Sequence, residues 1–305
     1  MTEKFGDVIC SNRILTNGTS DNLIYLTAAC NIFFSVTALL GNMVILMALR
    51  KETSLHPPTR LLLRNLATTD LLVGLFLEPL DVVYLLSVIH QDWYLCRVAE
   101  TTTFIVGYTL GPVSLWTATA ISFDRLLALK LAIRHSEVVT IKKTYAVITT
   151  FWVMSIVLSS SYVVESLVSF WYSHLTVASC LAISIPSYAV IFRWLRRQQT
   201  RVIHGNSRQQ QRDEITMLRI ARYRKTVSNI LWVKLALIMS YSPYGVASVL
   251  FFSSPSSSLF LPWQMTMSVV FVNSTLNPFL YCWKIREVRK AVKSTFKQSL
   301  CWSST

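Results

Sequence analysis

Seven stretches of the chain are too long and too apolar to be the buried strips of a soluble fold. They run over about 24–49, 59–87, 98–128, 144–164, 173–195, 226–252 and 260–283. Each reaches the roughly 20 residues that cross a hydrocarbon layer of about 30 Å. Inside that layer the backbone finds no water, so each stretch is expected to be a helix. Polar connectors separate them. Basic clusters follow the first stretch (Arg50-Lys51), the third (Lys130, Arg134, Lys142, Lys143), the fifth (Arg193 through Arg222) and the seventh (Lys284 onward). Cytoplasmic loops collect Lys and Arg, so this alternation places the N-terminus outside the cell and the C-terminus in the cytosol. The expected fold is an all-α membrane protein: a seven-transmembrane helix bundle in the plasma membrane. Residues 1–23 form an extracellular tail, 24–283 the bundle, and 284–305 a cytoplasmic amphipathic helix and tail.

Composition agrees with this reading. Only 14% of the 305 residues are charged and 52% are hydrophobic, whereas a soluble domain carries about 25% charged residues. The net charge of +14 would suit nucleic acid, but its distribution argues otherwise. Lys4, Arg13 and Arg97 fall on the expected outer side, Lys234 lies inside a span, and the other basic residues are cytosolic. No basic, aromatic-studded soluble domain exists, so nucleic acid is not an expected partner. The charge reads as orientation and contact with the anionic leaflet of the lipid bilayer.

Smaller signals add detail. No signal peptide is visible, so the first span is expected to direct its own insertion. Asn17-Gly18-Thr19 is a glycosylation sequon on the outer tail. A second sequon at Asn273 lies in a span, out of the modifying enzyme's reach. Of six scattered cysteines, Cys10 and Cys96 fall on the oxidising side, where a bridge between them is allowed. Ile285, Val288, Val292 and Phe296 recur at helical spacing among cations, the pattern of a helix lying on a leaflet. Cys301 beyond it is a candidate for palmitoylation or a free thiol.

Polar groups inside the membrane cost about 2.5–3.5 kcal/mol per charge on insertion scales, so each points to function. Asp70 sits mid-span with Asn42, Ser114 and Asn277 at comparable depth. They make either plain interhelical hydrogen bonds or a site that neutralises Asp70 with a mobile cation. Asp124-Arg125 ends the third span; such pairs also occur as ordinary interface markers. Pro278 and Pro243 each remove a helix hydrogen bond, which makes hinges, and Asn277 is placed to satisfy a freed carbonyl. Segments beyond such hinges can swing as rigid bodies.

Taken in order, GNMVIL (41–46), LATTD (66–70), Trp93, SFDRLLAL (122–129), Trp152, Tyr188, Pro243 and NPFLY (277–281) resemble the rhodopsin-like (class A) G-protein-coupled receptors. The series covers about residues 38–285, one motif per helix. In pattern it is similar to the melanocortin, adenosine, cannabinoid and lysolipid branch, with a short fourth-to-fifth connection at about 165–172. The resemblance implies a receptor, not an enzyme. An agonist favours outward movement of the inner end of span six, opening a cleft for a heterotrimeric G protein. Asp124, Arg125, Tyr188, Pro243, Asn277, Pro278 and Tyr281 would carry coupling and activation. Asp70, Ser114, Asn273 and Asn277, with Asn42 nearby, match the family's allosteric sodium pocket, and no other cofactor is implied. Arrestin and a receptor kinase are the further partners.

Departures matter too. Tyr241 and Ser240 stand where relatives carry Trp and Cys. Tyr223 stands where some carry an acid that locks the Arg matching Arg125, so weaker restraint of the inactive state is expected. Glu100 aligns with the usual cysteine of span three, and Lys234 either snorkels, faces a polar seam or marks divergence. The Asp of monoamine receptors is Gly107 here, and the Schiff-base Lys of opsins is Phe271, so both ligand classes are disfavoured. Glu78, Asp81 and Glu100 are either hydrated rim residues or receivers of a cationic ligand such as a basic peptide. Phe104, Gly107, Tyr108, Tyr241 and Phe271 are candidates for the pocket lining, the aromatic ones for its apolar part. A non-signalling family member, or a transporter with inverted repeats or a polar lining, is the alternative reading.

Overall fold

In the computed structural model the described residues are 10, 18–51, 55–131, 134–203, 237–254, 257–284, 288–290 and 292; side chains of some residues in the helices, Tyr188 and Tyr281 among them, lie outside the described set. The apolar stretches form helices α1 (Gly18–Lys51), α2 (Pro57–Leu72), α3 (Glu78–Ile89) and α4 (Trp93–Leu131). After these come the single-turn α5 (His135–Val138), α6 (Ile141–Ser160) and α7 (Ser166–Ile203). The last two are α8 (Leu237–Ser253) and α9 (Ser257–Lys284). Counting α2–α3 as one rod, five described helices are long and apolar enough to cross a membrane. The apolar α8 is shorter, and α9, with 28 residues, spans about 42 Å at 1.5 Å per residue. Leu26, Phe33, Val153, Val157 and Phe279 are each more than half exposed, as a lipid-facing surface requires.

Long α4 is the central strut, packing on α2, α3, α6 and α7, while α9 lies along α1. Cys96 at one end of α4 and Arg125 near the other define two ends of the bundle, below called the disulfide end and the Arg125 end. A π-helical turn, Val73–Leu77, joins α2 to α3. Pro79, just beyond it, has no N–H to give the carbonyl four residues back, and the widened turn absorbs that loss. At Gly74 the backbone of α1 comes so close that an added Cβ would lie 2.8 Å from the Ser35 carbonyl oxygen. Ser35 Oγ donates to the Gly74 carbonyl across the same contact (2.7 Å). Gly41 likewise lets Pro278 of α9 sit against α1, 3.0 Å from where its Cβ would be.

Most helices run past the expected spans, because beyond the hydrocarbon layer water can satisfy their ends. The fourth-to-fifth connection is tighter than the expected 165–172. A 3-10 turn over Ser161–Val163 leads almost directly into α7 at Ser166. Ser169 Oγ stitches the corner by donating to the Leu158 carbonyl (2.9 Å). Asn17, Tyr223, Lys234, Cys301 and residues 226–236 of the sixth span lie outside the described residues. Of the expected tail helix, Val288 is buried to 1% exposure and, with Val292, packs on Ile45, Leu49, Leu63 and Leu66. The tail therefore returns to α1 and α2 at the Arg125 end.

Cys10 and Cys96 form a disulfide across 86 residues, buried among Tyr84, Val88 and Ala99. A loop of that length closed in the unfolded chain contributes about 4–5 kcal/mol in the chain-entropy account. Cys10→Ser and Cys96→Ser should therefore lower the melting temperature equally. The double variant should melt no lower than either single one; additive losses would deny the bond.

Candidate functional site

Three polar centres are strung along α4. The first lies midway. Asp70, 1% exposed, accepts from Asn277 Nδ2 (2.7 Å), Ser274 Oγ (3.1 Å) and Ser114 Oγ (3.4 Å), tying α2 to α9 and α4. Two expectations change here. Asn273 does not reach Asp70; its amide donates to the Val270 carbonyl of its own helix (3.0 Å), and Ser274, one turn before Asn277 on the same face, takes the place instead. Asn277 spends its amide on Asp70 rather than on a carbonyl freed by Pro278. Asn42 binds the Ala38 and Ser274 carbonyls (2.8 and 3.0 Å) and touches the centre only through α9. Carboxylate and hydroxyl oxygens together are the donor set a hard cation takes, so the residues fit a sodium ion.

The second centre closes the Arg125 end. Asp124, 3% exposed, accepts from Thr59 Oγ1 (2.7 Å) and pairs with His135 Nε2 (3.0 Å). Arg125, with its side chain 33% exposed, is only loosely paired with the same carboxylate at 3.7 Å. The His56 ring lies 5.0 Å from that of His135. Burial first, and then His135, hold the His56 imidazole below its ordinary value. Nearby, Trp152 Nε1 donates to Asn65 Oδ1 (3.0 Å) and Asn65 Nδ2 to Thr117 Oγ1 (2.8 Å), locking α6, α2 and α4 together.

At the disulfide end the three acids are not a hydrated rim: Glu78, Asp81 and Glu100 are 0%, 0% and 1% exposed. Asp81 accepts from Asn31 Nδ2 (2.7 Å) and Gln264 Nε2 (2.7 and 2.9 Å). Tyr162 and Thr101 donate to Glu100. Among the described residues Glu78 is buried without a hydrogen bond to either carboxylate oxygen. Over these groups packs a block of aromatic rings. Phe104 stacks on Trp263 (5.8 Å) and Tyr162 (5.3 Å), and Trp263 on Phe251 (4.7 Å).

Beneath the aromatic block a cavity of about 90 Å³ runs toward Asp70, between the π-helical turn, α4, α7, α8 and α9. Phe104, Gly107, Tyr108, Tyr241 and Phe271, all expected pocket residues, line it; Glu78, Asp81 and Glu100 do not. Ser114, Asn273, Ser274 and Asn277 line its far end, so it reaches the Asp70 centre. Pro243 stands in α8 two residues from Tyr241, exposed beside Met239 and Val246. Several groups of these networks carry no sequence motif. Gln264 and Asn31 had one usable signal, a polar side chain inside an apolar span. His135 and Thr59 had none, because they meet Asp124 only once the chain has folded back.

Comparison with known proteins agrees with this architecture. The profile of the seven-transmembrane receptors of the rhodopsin family matches residues 41–182. Trace amine-associated receptor 6 of Pan troglodytes is 23% identical over 86% of this chain and 82% of its own length. A GQ-coupled rhodopsin of Mizuhopecten yessoensis is 26% identical over 83% of this chain. Melanopsin of Phodopus sungorus is 23% identical over 89%. The chain spans little more than half the length of the scallop rhodopsin (56%) and 62% of the melanopsin. With a helical membrane bundle, the profile matching residues 41–182 and relatives aligned over most of the chain at 23–26% identity, this protein is similar to the rhodopsin-like, class A family of G-protein-coupled receptors.

Proposed function

We propose that this multi-pass plasma-membrane protein binds a ligand from the outer half of the bundle and promotes nucleotide exchange on a heterotrimeric G protein. The disulfide end then faces outward and the Arg125 end the cytosol. The observation that supports this is α4 itself: one unbroken helix carries the cavity wall at Gly107, the Asp70 contact at Ser114 and the Asp124–Arg125 pair. A ligand that prefers a widened cavity shifts the population toward a bundle in which the Asp70 ties loosen and α8 swings outward. Arg125, already more loosely held than its neighbour Asp124, is then free to meet the G protein. Sodium held by Asp70, Ser114 and Ser274 would oppose that change by binding only the closed arrangement. Arrestin and a receptor kinase would act on the same cytosolic end. The named coupling of the scallop relative makes Gq the first G protein to assay.

The proposal is tested with the purified receptor in nanodiscs and Gq, Gi and Gs heterotrimers, by the rate of GTPγS uptake with and without receptor. Acceleration of at least one is expected, and weak restraint of Arg125 makes part of it independent of agonist. No acceleration of any of them would reject G-protein coupling. The cation is read separately. A site at ten times its Kd adds about 1.4 kcal/mol to stability, or roughly 2–5 °C in melting temperature. Replacing choline chloride by sodium chloride should give that rise in the wild type and none in Asp70→Asn. A rise that survives the substitution would place the ion elsewhere.

A further inference from the structure

A second cavity, about 310 Å³, lies between α7 and α8. It opens on the lipid-facing side beside Val246, which is 63% exposed. Ser173, Tyr241 and Tyr244 line both this cavity and the central one. The wall between the bilayer and the centre of the bundle is therefore one layer of side chains, two of them tyrosines that can turn about χ1. At the disulfide end the way is filled instead: Phe104, Trp263, Phe251 and Phe260 are each at most 2% exposed, Trp263 stacking on Phe104 and Phe251, with Phe260 tilted against it. The central cavity's chemistry points the same way. Among the described residues lining it, none is Asp, Glu, Lys, Arg or His. Of the acids at the disulfide end, Asp81 turns to Asn31 and Gln264, and Glu100 to Tyr162, rather than to the cavity, and Glu78 does not line it.

We infer that the ligand is an uncharged, largely apolar molecule that partitions into the bilayer and enters laterally between α7 and α8, past Tyr241 and Tyr244. This deepens the receptor reading and rests on it for the word ligand. The tyrosine hydroxyls, Ser173 and Asn277 offer hydrogen bonds to one or two neutral polar groups, and Leu110, Met267 and Phe271 hold the apolar body. A permanent charge held among these residues, away from Asp70 at the far end of the cavity, binds about 100-fold more weakly, from the insertion cost of an ion.

Two glycines make the route testable without strain. A Cβ at Gly245, on the portal, or at Gly111, in the central cavity, would meet nothing within 4 Å. The probe is a long-chain fatty alcohol bearing a diazirine, added to receptor nanodiscs of phosphatidylcholine, with peptide mass spectrometry locating the label after illumination. In the wild type, label is expected on Leu110, Met267 or Phe271. Gly111→Leu should remove it, and Gly245→Leu should slow its appearance about tenfold, since entry then needs a larger rearrangement. The same chain ending in trimethylammonium should leave the cavity unlabelled. Label confined to lipid-facing residues such as Val153 and Val157 would overturn the proposal, as would equal cavity labelling by the cationic chain. An unchanged rate in Gly245→Leu would overturn the lateral route. No G protein is present, so failure here leaves the coupling assay standing, and failure of coupling leaves this result readable.

Discussion

Gly74→Val is expected to lower the amount of folded receptor at the cell surface several-fold. The added Cβ would fall 2.8 Å from the Ser35 carbonyl oxygen, 3.0 Å from the Leu39 nitrogen and 3.1 Å from the Ala38 Cβ. The first two are backbone atoms of α1, so no rotamer change relieves the overlap and one helix must move off the other. Overpacking of a tight contact costs about 1–3 kcal/mol, and here the Ser35–Gly74 hydrogen bond is lost with it. Against net stabilities of about 5–15 kcal/mol, that is a large fraction, and a loss of about 1–2 kcal/mol already changes cellular abundance several-fold. Gly111→Ala and Gly245→Ala are the controls: both enter open space, and replacing a helical glycine by alanine stabilises by about 0.5–1 kcal/mol. Surface antibody staining and melting temperature read all three. Wild-type levels of Gly74→Val would show that α1 and the π-helical turn are not in contact there.

Arg125→Ala should reduce receptor-driven GTPγS uptake to the rate of G protein alone while leaving surface expression nearly unchanged. The side chain is one-third exposed and its pairing with Asp124 is loose, an ion pair of the kind worth about 0–1 kcal/mol. Asp124 keeps its bonds to Thr59 and His135 in the variant. Fold and function thus separate at this position. Unaltered uptake would remove Arg125 from coupling, and loss of expression in step with uptake would make its role structural.

How much could be read beforehand depended on the kind of order involved. The membrane rods were legible because lipid enforces length and apolarity on every residue of a span. The Asp70 centre was half legible: depth along each helix follows from counting residues. Which side of α9 faces Asp70 depends on helix rotation, and that is why Ser274 replaces Asn273. The hydrated rim is not what forms at the disulfide end, because the partners of Asp81 and Glu100 (Asn31, Gln264 and Tyr162) come from elements whose packing no local pattern encodes. The π turn before Pro79 rotates α3 relative to a regular helix, and Glu78 and Asp81 face into the bundle instead of toward water. Portal and cavity were invisible for the same reason, since they are spaces left between helices.

The sidedness of the bundle decides whether Arg125 can ever meet a G protein. Epitope tags placed after Met1, within the loop near Gly205 and after Thr305, one per receptor variant and each variant still reaching the surface, measure it on living cells. Antibody should bind the first tag on intact cells, and the other two only after the membrane is permeabilised. Binding to the Gly205 or Thr305 tag on intact cells would turn the bundle over and contradict the receptor account.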